Sequence, residues 1–314
     1  MKKLIIIAAS MLFAGIAYAQ DLATATETFN NGVTANEAGN VEMALQSFKE
    51  ALVMAEALGE DGADIVANCK SSIPILMFSL AKKAVNELEY DKAITGLKET
   101  IEVATKYGVD NIADDATVLI PQVLMQKANG FFNDKDYAAA VEAYKAVLAE
   151  DAANGMASLR LGAALKATGD KEGAIEAFKT AIENGQDKQA TKQLVNLYQQ
   201  DAAASLKAKK YDDAIAAALE SNKYGENAKA YQIAGTAASN GGKTKQAIEY
   251  FEKYIELAPT AKNSGDILFS IAVSYQQLKD NAKAKEYYQK AIADPTKISA
   301  TNLKNAQAMI AAIK

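Results

Sequence analysis

The chain has 314 residues, half of them apolar, with 4 Pro, 18 Gly, one Cys and no Trp or His. That apolar share is enough to build a folded core and excludes wholesale disorder. The 34 basic and 39 acidic residues give a net charge of −5. With no basic block in the chain, nucleic acid and anionic membrane surfaces, which demand a positive face, are excluded as partners.

The first 19 residues read as a signal peptide. Met1-Lys2-Lys3 is a basic start, Leu4 to about Gly15 is apolar, and Ala17-Tyr18-Ala19 has the small-x-small pattern that signal peptidase reads. Cleavage after Ala19 makes Gln20 the mature N-terminus and lowers the net charge to −7 by removing Lys2 and Lys3. The apolar run is shorter than the roughly 20 residues that span a bilayer. No Cys follows the cleavage site, so a soluble protein exported through the general secretory pathway is expected, periplasmic or extracellular. No later segment approaches a membrane span.

Beyond the leader, runs rich in Ala, Lys, Glu and Leu predict helices throughout. One register recurs along them. GNVEMALQSFKEAL places Ala44, Phe48 and Ala51 at offsets that return as Ala93, Leu97 and Thr100, then Ala140, Tyr144 and Val147. GDKEGAIEAFKTAI repeats them as Ala174, Phe178 and Ala181, and YDDAIAAALES as Ala214, Ala218 and Ser221. Ala247, Phe251 and Tyr254 follow, then Ala284, Tyr288 and Ala291, making seven units with Ala in the alignment column of each. Twelve residues upstream of each column stands another small residue: Gly32, Ala81, Ala128, Gly162, Ala202, Gly235 and Ala272. Turn residues such as Gly39-Asn40, Asn133-Asp134, Gly169-Asp170 and Gly241-Gly242 separate the two. Each unit therefore reads as two antiparallel helices that approach closely because one side of the contact is small. Gly or Ala on the first helix is expected to face Ala on the second, with the aromatic packed beside that pinch.

This pattern resembles the tetratricopeptide repeat, a helix–turn–helix unit with small residues at its eighth and twentieth places, an aromatic at the twenty-fourth, Ala at the twenty-seventh and often Pro at the thirty-second. Gly162, Ala174, Phe178 and Ala181 fit it, as do Tyr231, Gly235, Ala247, Phe251 and Pro259. The resemblance implies an all-α fold, a right-handed α-solenoid of about seven helix–turn–helix units. The steps between Ala columns are 49, 47, 34, 40, 33 and 37 residues, so the first two carry helical extra length. Residues 20–112 are accordingly expected to form N-terminal units with extended helices and 113–298 the later units. Ser299 to Ile313, with Leu303, Ala306, Ile310 and Ile313 on one stripe, is expected to be a C-terminal capping helix (299–314). Pro74 and Pro121 fall where an ordinary first helix would begin. Each either starts a helix there or kinks a longer one, the second being preferred.

Catalytic and metal chemistry finds little to work with. Without His there is no Ser–His–Asp or Cys–His arrangement and no commonest metal ligand. Cys69 shares a helical stripe with Ile65 and Ile73 and reads as a buried structural thiol, with pairing between molecules as the other reading. The acidic pairs Asp114-Asp115, Asp212-Asp213 and Asp134 with Asp136 read as helix starts or turns, where carboxylates favour the helix dipole. NDKDY is too short for a calcium loop, and no glycine-rich phosphate loop occurs. No enzyme, cofactor or metal is expected.

In the resembled family, outward positions of successive first helices line a concave groove that contacts the ligand. Carried over, those positions are Phe29 and Val33; Phe78 and Lys82; Met125 and Asn129; Leu159 and Arg160; Gln199 and Ala203; Gln232 and Thr236; and Phe269 and Val273. Some family members clamp a terminal carboxylate with Lys and Asn. Asn129 and Arg160 match two such places, but Met125 stands where the clamping Lys belongs. The implied function is a protein–protein interaction scaffold of the cell envelope, binding a polypeptide in the groove. The alternatives are a glycan- or solute-binding protein on the same frame, disfavoured by the absence of Trp, or a self-assembling structural component.

Overall fold

The structure, a computed structural model, describes residues 21–313, so the expected signal peptide and its cleavage site lie outside the described residues. Every regular element among them is helical. They divide into two compact units, one ending at Asp170 and the other beginning at Lys171.

The first unit runs through α1 (residues 21–37), α2 (Val41–Ala57), a 3-10 turn (Gly59–Gly62), α3 (Ala63–Asn86), α4 (Tyr90–Tyr107), α5 (Asp110–Asn133), α6 (Tyr137–Glu150) and α7 (Gly155–Thr168). The second holds α8 (Lys171–Glu183), α9 (Asp187–Lys207), α10 (Tyr211–Asn222), α11 (Ala228–Asn240), α12 (Thr244–Leu257), α13 (Ser264–Gln277), α14 (Asn281–Ile292), a 3-10 turn (Pro295–Lys297) and α15 (Ala300–Ala312). From α2 to α7, and again from α8 to α15, each helix packs on the next in chain order. Contacts also link α3 with α5, α9 with α11, and α13 with α15. Each unit is thus an all-α solenoid segment, a stack of helix pairs in which each pair buries its apolar face against its neighbours.

The repeated register is the buried core. Ala44, Ala93, Ala140, Ala174, Ala214, Ala247 and Ala284 are fully inaccessible, and the residues four and seven places on from each are all buried too. At Gly32 and Gly235 the contact differs from the expected one. A Cβ added to Gly32 would meet the Phe48 ring at 2.9 Å, and one on Gly235 would meet the Phe251 ring at 2.5 Å. The aromatic sits on the glycine, not beside it, because a ring needs a flat bare surface that only Gly offers at that separation. Where the second helix carries Leu97, the pinch is formed by Ala81 against Gly96 instead, with 3.4 Å between Ala81 Cβ and the position of a Gly96 Cβ.

One backbone device closes every pair. The residue five places before each Ala column is left-handed: Gly39, Leu88, Lys135, Gly169, Lys209, Gly242 and Lys279, with φ between 61° and 90°. Around each, two reversed hydrogen bonds end the first helix, as in Leu88 N to Val85 O (3.0 Å) and Glu89 N to Ala84 O (2.9 Å), which is the Schellman arrangement. Side-chain caps then open several helices: Asn40, Asp136, Asn154, Asn227 and Asp280 each accept from the backbone N–H three residues ahead.

The extra residues of the early steps lengthen helices. α3 and α5 each have 24 residues, and Pro74 and Pro121 lie inside them, each eleven residues after the helix start. Neither proline therefore begins its helix. Asp212 and Asp213 lie in the first turn of α10, and Asp134 and Asp136 flank a turn. Asp114 and Asp115 depart from the expected placement: they sit a full turn inside α5, exposed on its outer face. α15 packs on α13 and α14, tied by Asp266. The Asp266 carboxylate accepts from Ser299 N (3.0 Å), Ser299 Oγ (2.8 Å) and Asn302 Nδ2 (2.8 Å). Burial works against its charge, yet those bonds hold its pKa below the ordinary carboxylate value.

Cys69 is fully buried beside Ile73, and burial pushes its thiol up to about 11. Burial also raises Tyr144, Tyr198, Tyr250, Tyr275 and Tyr288. Two predictions follow from this packing. Gly235→Ala should overpack the Phe251 ring and lower stability by about 1–3 kcal/mol. Gly130→Ala, with open space where its Cβ would go, should raise it by about 0.5–1 kcal/mol; urea midpoints at constant m-value check both. A third prediction concerns pH. The folded chain holds its thiol and tyrosine protons more tightly than the unfolded chain, so stability should fall as pH rises from about 9 through 11. It should stay level from about pH 6 to 8, where a chain without His has no titrating side chain. Urea titrations across that range measure both slopes.

Candidate functional site

The candidate site residues are carried on the first helix of each pair. The best assembled group lies in the first unit, across α5, α6 and α7. Asn129 is on the last turns of α5, and its Oδ1 accepts a 2.7 Å hydrogen bond from the hydroxyl of Tyr144 on α6. Tyr144 occupies the aromatic column, so the packing rule of the repeat also fixes the orientation of the Asn129 amide. Phe132, one turn beyond Asn129, packs edge-on to Tyr144 and Tyr137. From α7, the Arg160 guanidinium lies over the Phe132 ring, 5.8 Å from its centroid. Burial raises the Tyr144 pKa, and the Arg160 charge opposes that rise.

Arg160 is exposed and forms no ion pair among the described residues. It is also the only arginine among the chain's 34 basic residues. A guanidinium differs from an ammonium in being planar, weakly hydrated and able to bind a carboxylate with two parallel N–H groups. The Phe132 ring attracts that cation while the side chain stays exposed. Met125 lies one turn before Asn129 and is half-buried against the core of α3 to α7. Leu159, next to Arg160, is buried and faces inward.

The remaining positions do not join this group. Phe29 is half-buried against Phe48, with ring centroids 5.2 Å apart. Phe78 is half-buried against α4 and α5, and the exposed Lys82 places its ammonium 4.5 Å from the Phe78 ring centroid. Phe269 packs on Tyr288 at 5.4 Å. Gln232 is half-buried, its carbonyl accepting from the Thr236 hydroxyl. Gln199 is buried, and its Nε2 donates to Asn227 Oδ1 at 2.7 Å. Asn227 is the N-cap of α11 and donates in turn to Asn222 Oδ1 and Gly225 O. Gln199 is thus a structural amide bridging α9 to the start of α11. The supports that sequence reading missed are Phe132 and Asn227; the single arginine was the available signal for the first, and Asn before a helical run for the second.

Among the described residues, no group of His, Cys, Asp and Glu side chains is placed to hold a metal ion, and no helix is long and apolar enough to cross a membrane.

Family models for the tetratricopeptide repeat match residues 125–188, 228–260 and 265–293. Those segments carry tetratricopeptide repeats. The site group of α5 to α7 falls inside the first matched segment. Outside the matched segments, α1 to α4 keep the same left-handed turn and buried Ala column. Solved structures similar to the chain include MamA, 24% identical over 55% of this chain and 90% of that one, with a TM-score of 0.34. YrrB, described as a tetratricopeptide-repeat protein with an unusual peptide-binding site, is 19% identical over 59% and 91%, with a TM-score of 0.35. The TPR2AB domain of yeast Sti1, solved with pHSP90, is 18% identical over 92% and 98%, with a TM-score of 0.34. A comparison with curated proteins finds no match.

The amide bridge is directly testable. Asn227→Ala removes a helix cap and strands the buried Gln199 amide, and should cost about 1–3 kcal/mol. Adding Gln199→Leu should restore part of that loss, because an apolar residue there leaves no unpaired donor. A thermal or urea double-mutant cycle measures the recovery.

Proposed function

We propose that the protein is a non-enzymatic scaffold of the cell envelope that binds a polypeptide partner on the first-helix face of its repeats. The carrying observation is Arg160, the chain's one arginine, its guanidinium 5.8 Å from the Phe132 ring centroid and without an ion pair among the described residues, with the oriented Asn129 amide one turn before Phe132. That pair offers a charged fork and an amide to one carboxylate of the partner, a C-terminus or an acidic side chain. Met125 supplies an apolar surface one turn away, where a chain leading into the carboxylate would lie. Stable helix pairs hold these groups on rigid elements, which suits recognition and offers no nucleophile or base for catalysis. The leader at residues 1–19 supports export, with Gln20 as the mature N-terminus and a periplasmic or extracellular location.

Two measurements test this reading. N-terminal sequencing of the protein recovered from envelope fractions should begin at Gln20; an intact Met1 would overturn export. A photo-crosslinking residue at position 125 in living cells should trap a protein. Arg160→Ala should weaken that complex by about 10–100-fold, the worth of a charge-assisted hydrogen-bonded contact of about 1.5–3 kcal/mol. Arg160→Lys should recover only part, since an ammonium lacks the fork. A trapped protein indifferent to Arg160→Ala would remove Arg160 from the site.

A further inference from the structure

Three residue choices in the first unit run against local preference, and all three line one cleft. The first is Leu88. Of the seven left-handed turn positions, three are Gly and three are Lys, and only this one carries a large apolar side chain. Leu is disfavoured in that conformation, and here it also stands 67% exposed, so burial does not offset the strain. The second is Gly130, inside α5. The equivalent positions of the other units hold Thr34, Lys83, Ala164, Ala204, Ala237 and Ser274, so helix pairing does not require a glycine there. A Cβ at Gly130 would meet nothing, which leaves the helix with the cost of Gly and no packing reason for it. The third is Asp134, the C-cap of α5, an acid at the negative end of a helix with no ion pair or side-chain hydrogen bond of its own.

These residues, with Tyr90 and Phe131, surround a cleft of about 520 Å³ at the turn edge of the pairs. It is separate from the Arg160 group. Its walls are apolar at Leu88, Tyr90 and Phe131, and Gly130 bares a stretch of backbone that a ligand can approach closely. The bases that line it are both neutralised already: Lys92 by Glu89 at 2.6 Å, and Lys127 by Asp91. The free charge is therefore negative. Asp134 lines the cleft, and neither it nor Glu87, the C-cap of α3 outside the lining, forms an ion pair among the described residues. The lining lysines are already ion-paired, whereas a lysine or arginine of a ligand would meet the Asp134 carboxylate at a helix C-terminus, where cations are favoured.

We infer that this cleft is a second docking site, distinct from the first-helix face, for a basic amphipathic peptide that packs an apolar side chain against Leu88 and Phe131 and sets a cation beside Asp134. Local choices that cost the fold stability while lining one apolar, acid-rimmed opening are the pattern expected where binding, not folding, sets the sequence.

The test uses the full chain and two labelled peptides, the basic amphipath LKKLLKLLKKLLKL and its acidic counterpart with Glu for every Lys, followed by fluorescence anisotropy. The basic peptide should bind and the acidic one should not. Leu88→Gly and Asp134→Asn should each weaken binding by about tenfold or more, and Gly130→Gln should block it by filling the cleft. Leu88→Gly should keep or raise the urea midpoint, since glycine is at ease in the left-handed turn. Arg160→Ala should leave binding of this peptide unchanged. The inference is overturned if the wild-type chain fails to bind the basic peptide or binds both alike, if the three cleft variants bind as wild type does, or if Arg160→Ala releases the peptide. A fall in the urea midpoint on Leu88→Gly would make Leu88 a core residue and overturn it equally.

Discussion

Everything in each unit depends on how closely two paired helices can approach. Where the first helix carries Gly32 or Gly235, the ring of Phe48 or Phe251 lies directly on its backbone, and no side chain could stand between them. Interaxial distances depend on the side chains at the contact, and here it is the bare backbone that lets the ring lie so close. Each later element inherits that spacing. The residue seven places past the Ala column is Ala in three units and Val147 in a fourth; in the other three it carries a hydroxyl that satisfies itself. Thr100 and Ser221 do so by donating to carbonyls of their own helices, and Tyr254 by reaching Asn263. A buried hydroxyl without such a bond would forfeit more than its burial contributes.

The close approach needs a turn that reverses the chain at once, and the left-handed residue before each second helix performs that reversal. Its carbonyl-satisfying bonds end one helix, and in several pairs the very next residue is the side-chain cap that begins the other. Glycine is the obvious occupant, yet lysine holds the position as often. A lysine there accepts the backbone penalty and keeps the turn soluble, since its charged end extends into water. Leucine has neither advantage. The turn is thus a conserved geometry filled by three chemistries, and only one of them asks for an explanation outside the fold.

The sequence made the pairing legible because pairing is periodic. Seven repetitions of Ala followed four places on by a ring or aliphatic residue report one packing contact seven times, so chance agreement is excluded even where a single unit such as YDDAIAAALES is weak. The left-handed column was half visible: Gly39, Gly169 and Gly242 announce a turn, whereas Lys135, Lys209 and Lys279 read as ordinary helix formers. Site residues were harder, because carrying over an outward position says nothing of what a neighbouring pair does to it. Gln199 occupies such a position, but the cap of the following first helix turned its amide inward. The division between Asp170 and Lys171 has no signal in composition at all, since the helices on either side follow the same unit rule.

Periodicity also sorts structure from function. A residue that obeys the repeat is accounted for by packing, and its identity carries little information about a partner. Arg160 breaks the chain's uniform use of lysine at a place where no packing contact requires a guanidinium, since a lysine stem would cover Phe132 as well. What lysine could not supply is a planar fork able to make two parallel N–H bonds to one carboxylate. The Asn129 amide is oriented by Tyr144, a residue that the repeat demands for its ring, while its hydroxyl is surplus to that demand. The same hydrophobic column that brings the helices together therefore fixes the Asn129 amide, so the proposed site rests in part on a geometry set by the core beneath it.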